Sequence, residues 1–256
     1  TLSGQTIEGF LISISHANPI CIGINCALGA EQMKPFFRTL ARLSSTFVHV
    51  YPNAGLPNAM GGYDESPETF AAALLEFGKE GLLNMVGGCC GTFPSHIAAL
   101  HAKLEFVVPR TVSAPMSPYM QLSGLEPLYL TPELGFVNIG ERCNLMGSLK
   151  FKRLIADRKW DEAVEVARDQ AENGAQIIDF NFDADLIDGR MVMSKFLKFC
   201  ATEPNIARLP FMIDSSKWEV IEEGLCWVQG KCIVNSISLK AGEAVFLHQA
   251  KLVKQY

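Results

Sequence analysis

Short apolar runs alternate with stretches of helical spacing along most of this chain. "PICIGINC" (19–26), "TFVHVYPN" (46–53) and "LLNMVGG" (82–88) read as strands that end in polar or glycine-rich tips. Between and after them, "EQMKPFFRTLARL" (31–43), "ETFAAALLEFGKE" (68–80) and "PSHIAALHAKL" (94–104) place apolar residues at helical intervals. Ser66 is a candidate N-cap with Pro67 at the first helical position, and Gly81 lies past the C-terminus. Pro35 is compatible with its helix only near the first turn. After residue 133 the alternation resumes with "GFVNIGE" (135–141), "AQIIDFNFD" (175–183), "LPFMIDSS" (209–216) and "KCIVNSIS" (231–238) as strands. Helices are expected over 159–174 and near 191–200 and 217–226. In the first of these Trp160, Val164, Ala167 and Ala171 share a face, Asp161 can cap and Gly174 ends the helix.

Strands alternating with helices imply parallel βαβ units, three strands before residue 105 and four after 133. Between them the periodicity stops, and five of the chain's 13 prolines (Pro109, Pro115, Pro118, Pro127, Pro132) fall there. The expected organisation is therefore one unit over 1–108, a linker over 109–133 and a second unit over 134–256.

Composition narrows the class. At 256 residues, with 48% hydrophobic and 19% charged residues, the chain can bury a core. A net charge of −5 and the absence of any Lys/Arg block argue against a nucleic-acid partner. No apolar run approaches the ~18–20 residues of a membrane helix. The start, "TLSGQTIEGF", has neither a basic nor an apolar signal region, and without an initial Met it suggests a chain that begins within a longer protein. The eight cysteines sit in a large α/β pattern rather than a small loop-rich scaffold, so a reducing, cytoplasmic compartment is expected. Cys21, Cys200, Cys226 and Cys232 lie in or beside apolar runs and suit core packing.

Two groups of polar residues stand at strand ends. Cys26 ends the first strand, and "VGGCCGT" (86–92) puts Cys89 and Cys90 at the end of the third. Three thiolates would give a tetrahedral zinc site with one open position. Adjacent side chains on a strand point to opposite faces, and the glycines would let the backbone bend to bring both sulfurs inward. The alternative is two small buried residues in a glycine-rich turn. His96 and His101 are five apart on a helix and do not share a face. In the second half, successive strand ends carry Glu141 and Asn144, Asp179 and Asn181, Asp214, and Asn235. Carboxylates and amides gathered at one mouth can read a heterocycle rich in donors and acceptors, such as a pterin. Helix caps and Asx turns are the competing account for each of them.

"GINCALGAEQMKPF" (23–36), "YPNAGLPNAMGGYDESP" (51–67) and "NMVGGCCGTFPSHI" (84–97) resemble the homocysteine-binding domain of the cobalamin-dependent methionine synthase family. "VNIGERCN" (137–144), "GAQIIDFNFDADLIDG" (174–189), "PFMIDSSKWEVIEEGL" (210–225) and "GKCIVNSIS" (230–238) resemble that family's pterin-binding, methyltetrahydrofolate domain, and "LSGLEP" (122–127) its interdomain linker. The resemblance implies zinc on Cys26, Cys89 and Cys90. It implies pterin contacts from Asp214 and Asn235, with Glu141, Asn144, Asp179 and Asn181 as further contacts. Asn25, Asn53 and Asn58 are candidates for the amino-acid end of homocysteine, with a turn role as the alternative. The implied fold is two partial (β/α)8 TIM barrels joined by a Pro-containing linker, each incomplete within these residues. The implied activity of the parent enzyme is methyl transfer from methyltetrahydrofolate through cobalamin to zinc-bound homocysteine, giving methionine and tetrahydrofolate. Methylcobalamin would sit on a cobalamin domain outside this chain. One departure from the family pattern lies at Asn181–Asp185, where a customary glycine is missing. The competing functions are a cobalamin-independent homocysteine S-methyltransferase and an inactive zinc- or pterin-binding fragment.

Overall fold

A computed structural model describes residues 4–112 and 117–256. In chain order the elements are α1 (Ile7–Ile14), β1 (Cys21–Gly29), α2 (Ala30–Leu43), β2 (Phe47–Asn53), α3 (Pro67–Lys79), β3 (Met85–Val86) and α4 (Pro94–Leu104). They continue with β4 (Gln121–Ser123), β5 (Pro127–Tyr129), β6 (Ile139–Asn144), α5 (Leu149–Ala156), α6 (Trp160–Glu172), β7 (Ile177–Asn181) and α7 (Gly189–Ala201). The last are α8 (Pro204–Ala207), β8 (Phe211–Asp214), α9 (Trp218–Trp227), β9 (Ile233–Asn235) and α10 (Glu243–Gln255). The chain divides into two compact units, Pro19–Pro118 and a second made of the residues up to Asn18 with Tyr119–Tyr256.

In the Pro19–Pro118 unit, β1, β2 and β3 form a parallel sheet in that order. Val48 and Val50 are fully buried, as are Met33, Phe37 and Leu40 of α2 and Phe70, Leu74 and Phe77 of α3. The intervening His49 and Tyr51 lie on the other face of β2, as strand alternation requires. Ser66 caps α3 by accepting from the Thr69 amide, and Pro67 opens the helix. Pro35 sits deeper in α2 than its chemistry suggests, at the sixth position. It is tolerated because it lies on the exposed side, where water can serve the carbonyl that its missing N–H would have met. β3 is only two residues long, because the glycine-rich stretch that follows leaves the sheet.

In the other unit β6, β7, β8 and β9 form a parallel sheet in sequence order. Ile178, Phe180 and Phe182 turn toward α6 and α7, where Phe180 packs against Phe196 and Phe211 at ring separations of 5.6 and 4.9 Å. Asp179 and Asn181 therefore face the opposite side. Asp161 falls in the first turn of α6 rather than at its cap, which is Lys159.

The aperiodic segment expected as a linker holds more structure than its pattern foretells, although 113–116, with Pro115, lie outside the described residues. β4 and β5 form an antiparallel hairpin. Its amides at Ser123, Leu125 and Glu126 donate to the carbonyls of Lys231, Ala207 and Arg208, ahead of β9 and β8. α1 docks on the same hairpin: the Thr6 amide donates to the Leu125 carbonyl at 2.9 Å, and the hydroxyls of Ser13 and Ser123 are 3.1 Å apart.

Candidate functional sites at the strand ends

The thiol group is assembled by β1 and the turn after β3. Cys26 and Ala27 take left-handed φ values of 66° and 69°, and the pairing with β2 shifts register between Asn25 and Gly29. This bulge re-aims Cys26, which lies within β1, three residues before its last residue, rather than ending the strand as the sequence suggested. The vicinal pair is held by the end of β2. The Cys89 amide donates to the Pro52 carbonyl at 2.8 Å, the Cys90 amide to Asn53 Oδ1 at 3.1 Å, and the Ala54 amide to the Cys90 carbonyl at 2.8 Å. The expected glycine bend is thus only part of the cause. Of the three glycines only Gly91 has a positive φ, 78°; a Cβ there would run into Tyr63, and one at Gly88 into Thr92.

Cys26 Sγ lies 3.6 Å from Cys90 Sγ, Cys90 Sγ 3.9 Å from Cys89 Sγ, and all three sulfurs are within 4.8 Å of one another. Tetrahedral bonds of ~2.3 Å to zinc imply sulfur–sulfur edges of about 3.8 Å, so the donor set fits that ion. The Ala27 backbone amide first, and the neighbouring sulfurs after it, hold the Cys26 thiol below its ordinary range. Burial pushes Cys89 up to about 11. Three thiols this close cannot all ionise without a cation to offset their repulsion. All eight cysteines are free thiols.

The histidines stand apart from the group. His96 is buried and uses both ring nitrogens, Nδ1 accepting from the Phe93 amide and Nε2 donating to the Glu65 carbonyl. His101 is exposed. Asn53 holds the Cys90 amide, and Asn58 closes its own loop by accepting from the amides of Met60 and Gly62. Asn25 is exposed on β1 opposite Tyr51. A separate cleft of about 790 Å³, bordered by Arg42, Leu82, Val108 and Thr111, lies by the start of β3 and the end of α2, away from the strand ends that carry the thiols.

The polar residues of the second sheet form a row. Asn144 pairs in register with Asn181, Asn181 with Asp214 and Asp214 with Asn235, so one rung crosses four parallel strands. Asn181 Nδ2 donates to Asp214 Oδ2 at 2.9 Å, and Asn144 Nδ2 to Glu141 Oε1 at 3.2 Å. Asn144 also accepts from the amides of Met146 and Gly147, so it is a turn residue as well. The sequence brings the four residues of this rung together because each apolar run ends in Asp or Asn where its strand ends.

Asp179 lies one step below the rung and is 2% exposed. Neither carboxylate oxygen has a hydrogen-bond partner among the described residues. Burial first, then the charges of Asp214 and Glu141, push its pKa up to about 7. Asp214 is also raised, by burial, against the opposing hydrogen bond from Asn181. A buried carboxyl with two orphaned oxygens is a ready acceptor for ligand N–H groups.

Sequence reasoning did not single out Asp183, Ser215 or Tyr63 as functional. Asp183 accepts from Ser215 and Ser216, and Tyr63 abuts Gly91, with its phenol raised by burial and then by Cys90. The only advance signal was that Asp183 and Ser215 closely follow predicted site residues.

Two protein-family models match the chain. Residues 1–104 match the homocysteine S-methyltransferase family model, and residues 140–256 match the pterin-binding enzyme model. The first match includes α1, which is itself part of the second unit. The chain therefore joins a homocysteine S-methyltransferase domain to a pterin-binding enzyme domain, the domain architecture of the methionine synthase family.

Proposed function

We propose that this chain supplies the two substrate sites of a cobalamin-dependent methionine synthase, each on a partial TIM barrel. Homocysteine binds at Cys26, Cys89 and Cys90, and methyltetrahydrofolate along the row from Asn144 to Asn235 above Asp179. The observation that carries the reading is the convergence of three thiols at zinc-like spacing in a homocysteine S-methyltransferase domain.

Only the thiolate of homocysteine is a good nucleophile, and its thiol is largely protonated near neutral pH. Zinc held by the three cysteines would supply Lewis-acid stabilisation of that thiolate. The Pro52, Asn53 and Ala54 contacts keep the Cys89–Cys90 backbone in place for this task. At the other site Asp179 and Asp214 accept from pterin N–H groups, while the row amides can donate or accept. In the net reaction the bond from N5 of the folate to its methyl carbon breaks and a sulfur–carbon bond forms. N5 keeps the electron pair, and the proton lost by the thiol balances it there. On this reading a cobalamin carrier, bound outside these residues, would supply the methyl-carrying chemistry between the two sites. The free thiols suit a reducing compartment such as the cytoplasm.

The test is zinc content measured by elemental analysis on the purified chain. About one zinc per chain is expected, with loss of most of it in Cys90→Ala. Equal zinc in the two proteins would overturn the ligand assignment.

A further inference from the structure

The loop after β7 and the loop after β8 are fastened together through one carboxylate. Asp183 lies two residues beyond Asn181. Its amide donates to Asn181 Oδ1 at 2.9 Å. With that oxygen engaged, the Asn181 amide directs Nδ2 to Asp214 Oδ2, also at 2.9 Å. A flip of the carboxamide would set oxygen against oxygen at Asp214 and N–H against N–H at Asp183.

The Asp183 side chain meets the two residues that follow Asp214. It accepts from Ser215 Oγ at 2.6 Å, from the Ser216 amide at 2.7 Å and from Ser216 Oγ at 2.7 Å. Ser215 is tied further: its Oγ accepts from the Lys217 amide at 3.0 Å, and its amide donates to the Asn235 carbonyl at 2.8 Å. Burial alone would raise the Asp183 pKa, but the bonds from Ser215 and Ser216 hold it below the ordinary carboxylate range. Asp183 is thus a fixed anion, unlike its neighbour Asp179.

We propose that Asp183 is a positioning residue of the pterin site, locking the loops after β7 and β8 together so that the Asn181 carboxamide stays aligned on Asp214. The inference rests on the pterin reading of the row. Asp183 acts through Asn181 and Asp214, its own carboxylate being taken up by Ser215 and Ser216. An isolated Asx turn would need only the Asp183 amide. The three donors on the carboxylate come from a different strand's loop, and they explain why this position carries an acceptor with no proton to give.

The test is calorimetric titration of the full chain with methyltetrahydrofolate, together with thermal unfolding, for the parent, Asp183→Asn, Asn181→Ala and the double variant. Asp183→Asn is expected to weaken binding about tenfold, the scale of one charge-assisted hydrogen bond. The double variant is expected to bind no more weakly than Asn181→Ala alone, because both changes disrupt one alignment. Unchanged binding in Asp183→Asn, or losses that multiply in the double variant, would overturn the proposal. A purely structural clamp would lower the unfolding temperature without this non-additivity. If Asp183→Asn does not fold, Ser216→Ala removes one donor and leaves the carboxylate. A loss of about threefold is expected there, again absent in the Asn181→Ala background, and undiminished binding would overturn the proposal. A parent chain that binds no methyltetrahydrofolate would overturn the pterin reading itself, whereas parent binding unaffected by Asp183→Asn would overturn only the role of Asp183.

Discussion

Asp179 links the pterin-side site to the stability of its unit. Its pKa of about 7 when folded lies well above the ordinary 3.8, so between those values the folded chain holds a proton that the unfolded chain releases. Stability therefore falls as pH rises through that window, and below it the effect vanishes. Asp179→Asn keeps the shape and removes the titration. The variant is expected to match the parent near pH 4 and to exceed it at pH 8 by about 1–2 kcal/mol, after discounting for solvent screening. Thermal unfolding across that range checks this, and parallel pH profiles would contradict it. Leu186 offers a second residue-scale test. It is fully exposed with φ at 64°, in the loop after β7. A left-handed conformation costs a branched side chain ~1–2 kcal/mol, part of which glycine's greater unfolded freedom offsets. Leu186→Gly should thus stabilise the chain by about 0.5–1 kcal/mol in denaturant titration, and a destabilised variant would refute the strain. At this scale the sequence marks Asp179 and Asp214, since acidic groups ending apolar runs stand out. It hides the left-handed Cys26 and Ala27, because neither residue type advertises a positive φ.

Among elements, the end of α2 shows how a segment without periodicity can be structural. Arg110 lies 8% exposed after α4, and the partners of its guanidinium are backbone carbonyls and Asn84. Its Nε donates to the Ala41 carbonyl at 2.6 Å, and its two terminal nitrogens donate to the Thr46 and Ser44 carbonyls. Asn84 completes the clamp by accepting from Arg110 and from the Val48 amide. A guanidinium thus satisfies carbonyls left over where α2 ends and β2 begins. Arg110→Ala would strand these acceptors in a buried place and is expected to cost about 2–4 kcal/mol in chemical denaturation. Arg110→Lys should recover less than half, lacking the planar fork; full recovery would show that charge alone matters. The strand and helix alternation was legible because its apolar period is strong. The hairpin of β4 and β5 was not, since each strand has only three residues and Pro127 begins the second.

At the scale of the whole molecule, sequence order and spatial grouping part company. The first helix lies within the homocysteine S-methyltransferase match, yet it shares a compact unit with the β4–β5 hairpin and the sheet of the pterin-binding match. Removing residues 1–18 is therefore expected to lower the unfolding temperature of the pterin-side unit by several degrees while leaving zinc content unchanged. Loss of zinc with an unshifted transition would contradict that grouping. Nothing in "IEGFLISI" could have revealed its partner, because a short apolar helix fits many surfaces equally well.

That same helix sets a schedule for synthesis. Thr6 and the Leu125 carbonyl it meets are 119 residues apart. At ~5–20 residues added per second, α1 leaves the ribosome roughly 6–24 s before its docking surface exists. Throughout that interval its apolar side has no partner in its own unit, and the Pro19–Pro118 unit can finish folding in between. A chaperone that recognises short apolar helices would find its opportunity there, early in translation rather than at release.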